Sequence, residues 1–510
     1  KNGTSAYNQT VEVGKNLVIT GESVFKDAVK SGENLKITGN AAFESTEKSV
    51  EVGNNLTING NANFANTVTT GNNLKIEGDE ITINGAAFAG KSDPFTEGSI
   101  LLTGTTKITA NSLSATKDIT LNANVIETAD LIAKNITIQG TTIKNAALIA
   151  TENVFINKDS EVLEQTLNIT GDVSSNNFEA VAKTQTFGGT ISVTNDFISK
   201  GESLIFADKV TVNQNAQIQN TGLLKISDFV YGKSFVQKGS ESKIGQVMIS
   251  GSFEQFEESG ESENPTATFG SNVYFYNSSQ NSLDITIGSD KSSILIDGNL
   301  IIAKSKENDV AIKGTVKSKK IALYSGNVDL SGNLETAEDI VILGENYSLK
   351  DNQTGIQNLY SYTENRPAHW SQASYTFETS LPDGTEISKN YAGTVKVAQN
   401  KSITVGKNLY ANGTVFALSG ALGSGKWKLN VPDTSVAEKT FCEVYNSEVS
   451  DCDAAYQIAA LQCTDKSGNI NWAFDDETGT VKITKAYSVS DNVIRVEFNK
   501  PVRILKDRFT

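Results

Sequence analysis

The sequence predicts an all-β fold, a parallel β-helix (β-solenoid) wound right-handed, and three observations lead there. An octapeptide recurs four times near the start, as Gly14-Lys15-Asn16-Leu17-Val18-Ile19-Thr20-Gly21 and again from Gly32, Gly53 and Gly71. Its starts lie 18, 21 and 18 residues apart, the length of one β-helix coil and too short for a helical hairpin. Within each copy the apolar residues stand two apart (Leu17 and Ile19, Leu35 and Ile37, Leu56 and Ile58, Leu74 and Ile76), which is strand periodicity. Composition agrees, with 6 Pro and 1 Met beside 41 Gly, many Thr, Ile, Val and Asn, and only 454–461 reading as an amphipathic helical stretch.

Each coil has further strands. Phe25, Phe43 and Phe64 follow the opening glycine by eleven residues and supply a second inward position, with Ala28, Val50 and Val68 next. No such strand buries its apolar face alone, so each must stack on its equivalent in the next coil, about 4.8 Å away. The glycines Gly14, Gly32, Gly53 and Gly71 are expected to supply the positive φ of sharp turns. Asn16, Asn34, Asn55 and Asn73 recur two places later, where they either tolerate a turn or bond one another as an amide ladder.

The pattern loosens through 117–121, 134–140, 152–156 and 165–171, then returns at Gly298-Asn299-Leu300, Gly326-Asn327-Val328 and Gly406-Lys407-Asn408-Leu409. The expected solenoid occupies 1–345, roughly 17 coils and roughly 80 Å long at the strand spacing. An aromatic-rich excursion with the last coils fills 346–425, a cysteine-containing capping or linking module 426–485, and the first strands of a further domain 486–510.

Three stretches depart from the coil, and such insertions project from a solenoid where recognition tends to sit. Residues 254–265 carry five carboxylates in ten residues, which reads as a solvated acidic loop rather than a calcium loop, since the alternating Asp/Asn spacing is missing. Around Arg366-Pro367 cluster Tyr360, Tyr362, His369, Trp370, Tyr375 and Phe377. Either these rings form the core of a small excursion, which also accounts for the lone His369, or Tyr360, Tyr362, Trp370 and Tyr375 stack on a sugar or anchor a protein partner. In the third, Cys442, Cys452 and Cys463 fall within 22 residues of each other. One disulfide with a thiol left over fits a secreted protein; three reduced thiols fit the alternative. Their spacing matches no zinc motif, and no metal or cofactor is expected.

A net charge of −15 argues against nucleic acid or an anionic membrane as partner. No apolar stretch reaches the roughly 20 residues that span a bilayer, so no direct membrane insertion is expected. Basic residues are nearly all Lys, with Arg only at 366, 495, 503 and 508, which with the abundant Asn and Ile suggests AT-rich codons and a bacterial source. Lacking an initial Met, the chain reads as a processed or truncated piece.

The Gly-Asn-Leu-x-Ile coils resemble the β-helical passengers of filamentous-haemagglutinin and autotransporter-like surface proteins of Gram-negative bacteria and spirochaetes. Trp370-Ser371 and Pro382-Asp383-Gly384-Thr385-Glu386-Ile387 look like the Trp-Ser and Pro-Gly-x-x-x-Ile elements of those passengers, with an aromatic residue in place of the usual second Trp. Cys463-Thr464-Asp465 with Asn469-Ile470-Asn471-Trp472-Ala473-Phe474 is similar to a module of very large repetitive treponeme-like surface proteins, and 486–502 to the first strands of a bacterial Ig-like domain. The resemblance implies a secreted, modular surface protein and carries over no catalytic residue.

The expectation is therefore a non-catalytic structural or adhesive protein, extracellular or on the bacterial cell surface. Its partners are other copies of itself, surface proteins, or host or microbial glycans. The alternatives are a glycan-binding adhesin module and a β-helix polysaccharide lyase or hydrolase. Against catalysis, the first 365 residues contain neither Arg nor His, and no Asp cluster sits on the regular coils.

Overall fold

The computed structural model describes residues 3–92, 95–158, 160, 164–239, 245–255, 264–276, 284–304, 308–325, 327–343, 356–358, 378–380, 394–407, 409–412, 415–417, 425–431, 437–440, 443–450, 458–460, 464–474, 483–490 and 493–498. These contain strands and no helix, in two compact units, one up to Gln246 and one from Val247 on. Each unit is a parallel β-helix with three strands per coil.

In the first unit, Leu17–Thr20, Ser23–Phe25 and Val29–Ser31 make up one coil, and each pairs in parallel with its equivalent in the next, Leu35–Thr38, Ala41–Phe43 and Val50–Val52. Register holds along each column, the long strands shifting between faces at Gly78/Glu80 and Ala133/Asn135. Leu17, Leu35, Leu56, Leu74, Ile100, Ile119, Ile136 and Val154 follow one another in one column, which Phe178, Phe197, Ala216 and Phe235 continue. From Leu35 on, every member is buried. Because side chains alternate across a strand, a one-residue slip would turn this whole set to solvent, and that penalty pins the register.

The second inward position is a stack of rings. Tyr7, Phe25, Phe43 and Phe64 lie nearly parallel, with successive centroids 4.8, 4.8 and 4.5 Å apart. The strand spacing itself imposes that contact. Beyond Ile83 the column passes through Ala110 and then two buried polar residues, Thr128 and Asn145, which bond each other, before Ile169 and Phe187 restore it. At the third position the expected series needs correction: Val29, not Ala28, stands in register with Val50 and Val68, and Ala28 sits at the corner before the strand.

The opening glycines also have a different cause from the one expected. Gly14, Gly32, Gly53 and Gly71 are not at positive φ. A Cβ on Gly32 would instead lie 2.1 Å from the carbonyl oxygen of Gly14, and on Gly53 1.9 Å from that of Gly32, so backbone crowding between coils excludes any side chain. The left-handed backbone falls on three of the closing glycines, Gly21, Gly39 and Gly60, with φ 126° at Gly39.

In the second unit the Gly-Asn-apolar motif recurs on all three faces, at the strand starts Asn327 and Asn333 and, inside the long strand Ser293–Ala303, at Asn299 where the register shifts. Asn299 opens the column Val247, Val273, Leu300, Ile321 and Ile340; Asn327 opens that of Val310, Val328 and Val395; Asn333 opens that of Ile294, Val316, Leu334 and Ile403. The motif precedes an inward column and is tied to no particular face. Leu330 and Val397 are paired neighbours, and between them in sequence Ile356–Asn358 and Glu378–Ser380 form an antiparallel pair.

The boundary expected at 426 does not interrupt the ladders. Trp427–Asn430 pairs in parallel with Ser402–Val405, and Ser447–Ser450 follows, with Trp427 fully buried and its indole N–H donating to the Tyr445 carbonyl at 3.0 Å. Ile483–Ser490 and Val493–Phe498 form a separate, largely exposed antiparallel pair.

Candidate functional site

With the interior filled, chemistry has to reside on the exterior. One corner carries a polar ladder at the residue before each first-column strand. Asn34 Nδ2 donates to Asn16 Oδ1 at 2.8 Å, Asn55 to Asn34 at 3.0 Å, and Asn73 to Asn55 at 3.0 Å. Asn135, Asn153 and Asn177 extend it above Asp118, and Asn215 and Ser234 above Asp196. Of the two readings open for these residues, the structure shows the ladder.

The opposite end of the same strands is different. Thr103, Asn122 and Gln139 are in-register partners, and the turn after them is tight over Gly104, Ala123 and Gly140. Successive ladder steps of 17, 18 and 24 residues show that the coil between Asn153 and Asn177 is the longer one. Asn157, in the left-handed region at φ 51°, accepts from the Gly140 N–H at 2.9 Å and donates to the Gly140 carbonyl at 3.1 Å. Thr103, Asn122, Asn124, Gln139, Asn157 and Gln165 line a groove of about 590 Å³. A second concavity of about 360 Å³ lies on the same corner, lined by Asn40, Asn61 and Asn63 with Glu22 and Glu80.

Four carboxylates on the coils are shifted downward by their neighbours. Hydrogen bonds from Lys30 and Ser49 keep Glu51 below its ordinary value, and Lys107 with Lys144 does the same to Glu127. The Thr190 hydroxyl and N–H lower Asp172. Burial raises Glu338, but Lys320, Lys407 and Lys319 outweigh it and the net shift is downward. Tyr231 and Tyr276 are shifted upward by burial. Among the described residues no three His, Cys, Asp or Glu side chains converge as a metal site would require.

In the second unit the outward row Met248, Tyr274, Ile301 and Ala322 is apolar and buried, so protein rather than water covers that face. Beside it Lys304, fully buried, donates to the carbonyls of Ser250 at 2.9 Å and Tyr276 at 3.4 Å.

Of the expected site residues, Gly14, Gly32, Gly53 and Gly71 pack coil on coil, and Asn16, Asn34, Asn55 and Asn73 build the ladder. Tyr360, Tyr362, His369, Trp370 and Tyr375, the cysteines Cys442, Cys452 and Cys463, and 256–263 of the acidic stretch lie outside the described residues. Reading the sequence missed the groove; the lengthened ladder step after Asn153 is the signal that could have found it. Comparison with protein-family models, curated proteins and solved structures finds no match to this chain.

Proposed function

We propose that this chain is a non-catalytic structural or adhesive protein of the bacterial cell surface, in which stacked coils act as a stiff spacer and the exterior meets further copies, other surface proteins or glycans. The observation that carries this reading is the residue-for-residue registry of the columns from Leu17 to Phe235, which commits the inward side chains to a core. Resemblance of the coils to filamentous-haemagglutinin-type passengers supports the location. Tyr360, Tyr362, Trp370 and Tyr375 are the aromatic candidates for contact with a glycan or partner.

Antibody labelling of intact cells of the source organism, together with electron microscopy of the purified chain, tests the reading. Labelling without permeabilisation and elongated particles are expected. Labelling only after lysis, or compact particles, would overturn it.

A further inference from the structure

We infer that one face of the first unit, the face whose inward column holds Val29, Val50 and Val68, is a self-association surface on which a second copy of this chain packs with the same face. Each coil shows one outward side chain there, and from Thr69 to Val230 nine of these follow one another in register. None of the nine is charged, in a chain of which 20% is charged and whose net charge is −15. The outward rows of the other two faces carry Lys75 and Glu179 on one and Glu127, Lys144 and Lys225 on the other. Phe88, Ile132 and Ile149 stand in the uncharged row, 42, 43 and 42% exposed. Among the described residues of this unit only Val18 is another large apolar side chain exposed to that degree.

Two features select a second copy as the occupant. The row rises by one residue per coil, about 4.8 Å, so another strip of the same coils matches it step for step over roughly 40 Å, a periodicity that a globular surface does not share. Charge at the rims supplies the symmetry. Asp130 and Lys134 flank Ile132 on opposite sides of one coil, and both are exposed. Asp130 forms no ion pair among the described residues, while Lys134 holds Glu152 at 3.1 Å. A twofold axis parallel to the stacking direction and passing beside Ile132 keeps the level of each coil and reverses its strand direction. It therefore brings Asp130 of each copy to Lys134 of the other and sets Ile132 and Ile149 against their own equivalents. Copies carrying this net charge repel elsewhere, whereas contact along the uncharged row strips water from no charge at its centre. A strip three residues wide buries on the order of 400 Å² per copy, about half of a standard interface, so the pairing is weak. The inference rests on the reading of this chain as one that meets further copies, and it names the surface they use.

The test is sedimentation equilibrium of the full chain at low salt, from about 10 to about 500 μM, the range in which so small an interface is populated. A reversible dimer is expected, weakened about tenfold or more in Ile132→Lys and in Ile149→Lys, each of which places like charges face to face. Val18→Lys, exposed on another face, should associate as the parent does. Asp130→Lys sets lysine against Lys134 of the second copy and should weaken the dimer; adding Lys134→Asp reverses both charges and should restore it. All these positions are exposed, and unchanged melting temperatures will confirm that the variants fold. A monomer throughout the range, association indifferent to Ile132→Lys and Ile149→Lys, equal weakening by Val18→Lys, or a charge-reversed double variant as weak as Asp130→Lys would each overturn the inference. Antibody labelling of intact cells is untouched by any of these results, so the surface location and this contact can fail separately.

Discussion

Asn16 Oδ1 receives two hydrogen bonds from Asn34, one from its carboxamide Nδ2 at 2.8 Å and one from its backbone N–H at 3.2 Å. Each rung therefore satisfies a main-chain donor as well as the side chain above it. In Asn34→Ala the rungs to Asn16 and Asn55 both break, at a cost of about 1–2 kcal/mol, since the rung is partly exposed and water replaces some of the loss. Repeat proteins unfold by neighbouring segments, so the sensitive measurement is hydrogen exchange. Amides of 32–38 and 53–59 should exchange faster while those near Phe206 keep their parent rates.

Gly14 and Gly32 occupy the same place in successive coils with opposite tolerance. Nothing lies within 4 Å of a Cβ built on Gly14, while one on Gly32 collides with the Gly14 carbonyl. Gly14→Ala should fall within about 0.5 kcal/mol of the parent, and Gly32→Ala should lose on the order of 3 kcal/mol or more, because two backbones must separate. Denaturation of the two variants side by side checks this, and equal stabilities would contradict the crowding.

Gln185 is fully buried in a column of aliphatic residues, between Leu167 and Leu204. Its Nε2 donates to the Lys200 carbonyl at 2.7 Å, and its Oε1 accepts from the Ser199 hydroxyl at 2.9 Å. Gln185→Leu restores the column but strands those partners, and should cost about 1–3 kcal/mol; Gln185→Glu, placing a carboxylate there, should cost more. Thermal melts of the pair give the order.

These residues show how far the sequence could be read. Leu17, Leu35, Leu56 and Leu74 and the inward Phe25, Phe43 and Phe64 were legible because alternation repeats at a near-constant coil length, whereas the recurring Asn residues fitted a turn as well as a ladder. Gln185, and Thr128 with Asn145, were not, since a polar residue at an inward position is satisfied by partners that only the winding brings near. Nor does period-two alternation say which outward row is covered, as at Tyr274 and Ile301, or which corner is deepened, as at Asn124 and Gln139. Those depend on where extra residues leave the coil.

Acid should destabilise the coils through the carboxylates that lysines clasp. Glu127 bridges Lys107 at 2.7 Å and Lys144 at 3.4 Å, and Glu338 is held by Lys320 at 3.3 Å and Lys407 at 3.5 Å. Folding lowers both pKa values below the ordinary 4.5, so the unfolded chain takes up protons first as acid is added. The stability they contribute is fully present above 4.5 and is lost as pH falls through the lowered folded values. Since all of these side chains are partly exposed, Lys144 and Lys407 most of all, each cluster is worth under about 1 kcal/mol and shrinks with salt. A double variant, Glu127→Gln with Glu338→Gln, should melt slightly below the parent at neutral pH and low salt. Its melting temperature should decline less steeply below pH 4.5, and identical slopes for the two proteins would remove these clusters from the account of acid stability.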